Sequence, residues 1–202
     1  MLDNRLRPAC QKLLIDPVLS LNWIKNRSPS LATALSLFFG IAVAPLLAFG
    51  MGFWAIFSLL ISGYFDMLDG SLARLQKNSS PKGAVLDITS DRLVEFCVIL
   101  GFFFFNPIAR ALPSILMLGS ILLCITSFLV VGIFSQNSSE KSFHYSPGLI
   151  ERLEAFGFWI AMILCPSYFS FLAYTFAALV FLTTVLRLKE FLKQVDKTRV
   201  SL

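Results

Sequence analysis

The chain has 202 residues, 56% of them hydrophobic and only 14% charged, with 21 phenylalanines and a mean hydropathy of +0.76. A soluble domain carries roughly 25% charged residues, so this composition excludes an ordinary soluble enzyme and implies one membrane-embedded domain. The net charge of +5 does not indicate a nucleic-acid partner, because the cations gather at the chain ends and in loops beside apolar runs, as in proteins held against an anionic leaflet.

Residues 1–30 mix Leu6, Leu13, Leu14, Ile15, Val18, Leu19, Leu21 and Trp23 with basic side chains. They are expected to form a cytoplasmic, interfacial amphipathic helix, broken near Asp16-Pro17. The first apolar run begins near Leu31. No small-residue cleavage site follows it, so the expectation is that it stays as an anchor. Six spans are predicted, at 31–49, 53–75, 84–105, 112–134, 150–166 and 169–188, each near the ~20 residues that cross the hydrocarbon core. Helix is the form that leaves no backbone polar group facing lipid, so the predicted fold is all-α, a six-transmembrane-helix bundle over residues 31–190. Gly50 and Gly52, Asn78-Ser79-Ser80-Pro81, Asn106-Pro107, the polar loop from Ser135 to Pro147, and Pro166-Ser167 supply the breaks. Residues 191–202 are read as a cytoplasmic basic tail.

Six spans put the N-terminus, the second and fourth loops and the C-terminus on one side. Of the 17 Lys and Arg residues, all but Arg92 and Arg110 fall there: Arg5, Arg7, Lys12, Lys25, Arg27, Arg74, Lys77, Lys82, Lys141, Arg152, Arg187, Lys189, Lys193, Lys197 and Arg199. That bias predicts a multi-pass protein with both termini in the cytoplasm. Cys10, Cys97, Cys124 and Cys165 match no zinc or redox spacing and are read as small buried hydrophobes.

Of the 12 acidic residues, Asp66, Asp69, Asp87 and Asp91 fall at the ends of two predicted spans. A carboxylate at membrane depth costs about 2.5–3.5 kcal/mol on insertion scales, so four of them imply a functional site facing a polar cavity. Asp66, Asp69, Gly70, Ala73 and Arg74 recur on one helical face. Asp87 and Asp91 are one turn apart on the next helix, with Gly83 one turn before. The short loop between these helices makes them antiparallel neighbours, so the acidic pairs face each other. Mutual repulsion among four carboxylates is relieved by a divalent cation, and an all-oxygen ligand set suits Mg²⁺ or Mn²⁺. Two ions about 3.5–4 Å apart would clamp a phosphoryl group. Gly70 and Ala73 leave room on the same face, and Arg74 is a cation suited to phosphate.

The pattern Asp66-x-x-Asp69-Gly70-x-x-Ala73-Arg74, eight residues, then Gly83-x-x-x-Asp87-x-x-x-Asp91 resembles the signature of the CDP-alcohol phosphatidyltransferases, with every signature position filled. Ser28-Pro29-Ser30-Leu31-Ala32-Thr33 resembles the Pro-Asn-x-x-Thr start of that family's first span, with Ser30 where Asn is usual. The resemblance implies metal-dependent transfer of a phosphatidyl group from CDP-diacylglycerol to an alcohol, releasing CMP. It implies Asp66, Asp69, Asp87 and Asp91 as metal ligands, Asp91 also as the base that takes the hydroxyl proton, and Thr33, Asp69, Gly70, Ala73, Arg74 and Gly83 around the CDP donor. A homodimer is implied as well.

The acceptor is less constrained. Glu151-Arg152 resembles the Gly-Leu-x-Glu-Arg element of some members, and Arg187 ends the sixth predicted span. Arg152 and Arg187 are the candidate acceptor contacts. Members acting on inositol phosphate are similar in carrying basic residues near the end of the fourth span, whereas Ser127 to Phe134 has none here. Glycerol 3-phosphate is therefore favoured over inositol phosphate, inositol or serine. Glu95 shares the face of Asp91, Arg92 reads as a headgroup or phosphate contact, and His144 as a solvated loop residue. An ion-coupled transporter using the aspartates as a relay is the alternative of another class. It would predict inverted repeats or broken helices in matching halves, and the second half carries no acidic counterpart.

Overall fold

A computed structural model of the chain describes residues 11–21, 24, 27–76, 81–135 and 150–200. The elements found among them are helical. A π-helical turn, Gln11–Ile15, runs into the short helix α1 (Asp16–Leu19). There follow α2 (Pro29–Ala48), α3 (Gly52–Leu75), α4 (Pro81–Phe105), α5 (Pro107–Ser135) and α6 (Arg152–Leu164). A 3₁₀ turn, Pro166–Tyr168, then leads into α7 (Phe169–Val200).

The helix ends have local causes. Ser28 caps α2, its hydroxyl accepting from the Ser30 N–H at 3.3 Å, with Pro29 where no donor is lost. Gly50, at φ 74°, makes the reversal into α3, a backbone conformation that favours glycine. Glu151 and Glu154 form a reciprocal capping box at the start of α6. At Asp16-Pro17, where a break was predicted, the helical stretch continues and changes from a π turn to α1, with Pro17 in the first turn where no donor is lost.

A helix occupies each predicted span. Among the described residues, four stretches are long and apolar enough to cross a membrane: Pro29–Ala48, Gly52–Leu75, Pro107–Phe134 and Pro166–Lys193. α6 has 13 residues, about 20 Å at 1.5 Å per residue against a core of about 30 Å. The N-terminal half of α4 carries Lys82, Asp87, Asp91, Arg92 and Glu95. The last helix also runs on through residue 190 to Val200, where a separate tail was predicted. The short N-terminal segment is helical, with Leu13, Leu14 and Leu21 exposed. The polar loop with His144, and Gly148-Leu149, lie outside the described residues, as do Cys10 and most of the turn between α3 and α4.

The chain divides into two compact units, one up to Ser114 and one from Ile115 onward. In the first, α2 packs on both α3 and α4. Ala32, Ser36, Gly40, Val43 and Leu47 are the buried face of α2. A Cβ at Gly40 would collide with the Val94 side chain of α4, and one at Gly101 would lie 2.9 Å from the Ala44 carbonyl oxygen. The small residues thus let the backbones approach closely, as membrane helices require in place of a hydrophobic driving force. Ser36 Oγ donates to the Ser62 carbonyl at 2.9 Å and Ser58 Oγ to the Phe39 carbonyl at 2.8 Å, tying α3 to α2. At one end of this unit Arg110 is buried, its guanidinium 4.5 Å from the Phe105 ring centroid. In the second unit α6 packs on α7 through Phe158, Trp159 and Phe176. Cys97 is buried and Cys124 half-buried, but Cys165 is exposed just past the end of α6, so burial does not explain it.

Candidate active site

α3 and α4, both held against α2, carry the acidic residues. Asp66 and Asp69 are one turn apart on α3, and Asp87 lies on the facing end of α4. One carboxylate oxygen from each comes within 4.8 Å of the others. Asp69 is buried, Asp66 half-buried and Asp87 exposed, so the group runs from the packed interior to an open side. The Thr33 side chain of α2 and the Gly70 backbone N–H approach the Asp69 carboxyl. Thr33 Oγ1 also lies 3.2 Å from the Pro29 carbonyl. Asp69 Oδ2 remains buried with no hydrogen-bond partner. A buried carboxylate oxygen without a donor is costly unless something cationic meets it. Three oxygen donors of this kind fit a hard divalent cation such as Mg²⁺ or Mn²⁺.

Asp91 is not part of that group. It is half-buried one turn further along α4, and its Oδ2 lies 3.9 Å from Arg92 Nη2. Arg92 Nη1 is closer to Glu95 Oε2, at 2.7 Å. The predicted Arg92 headgroup contact is therefore engaged in an i,i+3 ion pair. Three of the four predicted aspartates thus converge within 4.8 Å, and the fourth lies beside an Arg–Glu pair.

The rest of the α3 face is laid out toward the same end. A Cβ at Gly70 would meet only Arg74 Nη1, at 3.6 Å, so the glycine opens onto the arginine. Arg74 is exposed, and its Nη2 donates to Ser71 Oγ at 3.1 Å. Ala73 is half-buried between them in sequence, and Gly83 is exposed near the start of α4. Ser71 was missed by the sequence reasoning, although its place between Gly70 and Ala73 was a signal. Its hydroxyl also lies 3.0 Å from Gln11 Oε1, a partner that no spacing rule suggests.

Arg152 and Arg187 belong to the second unit. Arg152 sits over the Phe156 ring at 5.8 Å. Arg187 Nη1 donates to the Cys124 carbonyl at 3.0 Å and approaches Ser127 Oγ at 3.4 Å, with the Phe128 ring 5.3 Å from its guanidinium. Its charge is therefore held against α5, at the stretch that has no cation of its own.

Comparison with known proteins agrees with this arrangement. Residues 27–187 match the family model for the CDP-alcohol phosphatidyltransferases. The chain is 31% identical over 194 residues to the inner membrane protein YnjF of Escherichia coli strain K12, covering 93% of each. It is 28% identical over 149 residues to the phosphatidylinositol phosphate synthase of Corynebacterium glutamicum, covering 73% of this chain and 67% of that one. Crystal structures of Mycobacterium tuberculosis phosphatidylinositol phosphate synthase share the fold. The form with CDP-DAG bound has a TM-score of 0.63 at 24% identity, covering 82% of this chain and 87% of that one. The complex with manganese and citrate has 0.68 at 21%, covering 82% of each.

Proposed function

The chain belongs to the CDP-alcohol phosphatidyltransferase family, and from that premise we propose that it transfers a phosphatidyl group from CDP-diacylglycerol to an alcohol and releases CMP. The observation that carries this reading is the convergence of Asp66, Asp69 and Asp87, with Asp69 Oδ2 buried and without a hydrogen-bond donor. These three would hold Mg²⁺ or Mn²⁺, two ions in the fullest form, with Asp91 completing the shell. Bound there, the metal would neutralise charge on the diphosphate as the bond to CMP weakens.

The protein's own groups account for the rest. Gly70 and Ala73 leave the α3 face open for the donor, and Arg74 offers a guanidinium to its phosphates. Thr33 and Gly83 flank the same end and are assigned to the donor with them. Asp91 takes the proton of the attacking hydroxyl while that oxygen bonds to phosphorus and the phosphorus–oxygen bond to CMP breaks. The Arg92–Glu95 pair leaves the Asp91 carboxylate with a weak second cation at 3.9 Å.

For the acceptor, inositol phosphate replaces glycerol 3-phosphate as the first choice. Beside YnjF, whose name gives no acceptor, the relatives include phosphatidylinositol phosphate synthases, which favours inositol phosphate. The lack of basic residues over 127–134 is offset by Arg187, whose charge rests on Cys124 and Ser127. Arg187, with Arg152, is assigned to the acceptor phosphate. The Lys and Arg bias supports a site and termini on the cytoplasmic face, and a homodimer is carried over from the family likeness.

The test is purified protein in detergent with labelled CDP-diacylglycerol, Mn²⁺ and a panel of inositol phosphate, glycerol 3-phosphate, inositol and serine. CMP release greatest with inositol phosphate is expected. Release with glycerol 3-phosphate alone would overturn the acceptor assignment. No release with any alcohol, together with ion flux in liposomes, would replace the enzyme reading by a transporter.

A further inference from the structure

A chain of hydrogen bonds links the N-terminal segment to Arg74. Gln11 Nε2 donates to Asp16 Oδ1 at 3.0 Å. Gln11 Oε1 lies 3.0 Å from Ser71 Oγ, which accepts from Arg74 Nη2 at 3.1 Å. Ser71 Oγ is also 2.8 Å from the Met67 carbonyl, so its one proton serves Gln11 and Met67 while its lone pairs face the guanidinium. Asp16 fixes which way the Gln11 amide points, because the reverse orientation would set the amide oxygen against the Asp16 carboxylate. Ser71 is only 4% exposed, so few other partners reach it.

The segment is also anchored apolarly. Ile15 is fully buried among Ala32, Leu68 and Leu72, with Val18 and Leu19 packed against the same cluster. A second tie lies at the end of α3, where Gln76 Nε2 donates to the Arg27 carbonyl at 2.8 Å. The N-terminal segment is thus docked on the helix that carries Arg74. Arg74 itself is exposed, and an exposed arginine samples many rotamers unless something holds it.

We propose that Gln11 and Ser71 are positioning residues that fix the Arg74 guanidinium over Gly70, so that the docked N-terminal segment sets the affinity for the anionic diphosphate of the donor. The inference rests on the assignment of Arg74 to the CDP donor. Ordering one long side chain in advance changes binding by about two- to tenfold, and that range is the expected effect.

The experiment measures Mn²⁺-dependent binding of CDP-diacylglycerol to the full chain in detergent, without any acceptor. The variants are Gln11→Ala, Ser71→Ala, Arg74→Ala and the double variant Gln11→Ala/Arg74→Ala. Melting temperature is followed in parallel. Arg74→Ala is expected to weaken binding about tenfold, and Gln11→Ala and Ser71→Ala about two- to tenfold. The double variant is expected to bind no more weakly than Arg74→Ala alone, since Gln11 acts only through Arg74. Additive losses in the double variant would overturn the proposal, because a merely structural contact weakens binding whether or not Arg74 is present. Unchanged binding in Gln11→Ala and Ser71→Ala, beside a loss in Arg74→Ala, would overturn it while leaving the donor assignment standing. Unchanged binding in Arg74→Ala would refute the donor assignment itself, and the proposal with it.

Discussion

Asp69 and Arg187 are both ionisable side chains on long apolar helices, and they are treated in opposite ways. Asp69 is buried with a carboxylate oxygen that meets no donor, beside two further carboxylates within 4.8 Å. Arg187 has a backbone carbonyl, a serine hydroxyl and an aromatic ring as partners on the neighbouring helix. One region is left electrostatically incomplete and needs a cation. The other is held at Nη1 by partners on the neighbouring helix while its Nε is buried without a hydrogen-bond partner, so a ligand must compete for part of its charge. This difference explains why the reaction is easier to identify than the acceptor.

The contrast can be broken experimentally, and the largest effect belongs to the carboxylates. Asp69→Asn should lower kcat/KM by about a thousandfold, since it removes the most buried charge that would meet the metal. A loss under tenfold in a Mn²⁺ titration would contradict the site. Asp91→Asn should cost about a hundredfold or more in kcat while donor binding stays near wild type, as loss of a general base does. Equal damage to donor binding would instead make Asp91 chiefly a ligand. Gly40→Leu acts on the scaffold that brings α3 and α4 together. Its side chain would strike Val94, and thermal unfolding should show destabilisation of about 1–3 kcal/mol. The smallest effect is expected at Arg187. Arg187→Ala should raise the acceptor KM about tenfold, the value of one charge-assisted hydrogen bond, with the donor KM unchanged. A drop in melting temperature with no change in acceptor KM would assign Arg187 to the fold alone.

The acidic face of α3 was legible because its information is local. Asp66, Asp69, Gly70, Ala73 and Arg74 share a face by helical spacing, which holds whatever the tertiary structure does. The six helices were legible for the same reason, with ends set by Pro29, Gly50, Asn106-Pro107 and Pro166. What was not legible depended on length or distance. α6 is short and the first half of α4 is charged, so among the described residues four stretches meet the length and composition of a crossing. Which carboxylates converge most tightly, Asp66, Asp69 and Asp87, depends on how α4 sits against α3, which the i,i+4 spacing of Asp87 and Asp91 does not fix. Gln11 meets Ser71 across 60 residues, a contact that no periodicity announces. Arg187 drew notice as a terminal cation, but its partners Cys124 and Ser127 became apparent only when α7 was seen against α5.

The central claim is that Asp66, Asp69 and Asp87 hold a divalent cation that the CDP donor requires. Equilibrium binding of CDP-diacylglycerol, with Mn²⁺ and after chelation, to the wild-type chain and to Asp87→Ala tests it most directly. The account predicts that chelation removes binding to wild type, that Mn²⁺ restores it, and that Asp87→Ala shows no metal-dependent component. Donor binding by Asp87→Ala with an undiminished Mn²⁺ response would contradict it.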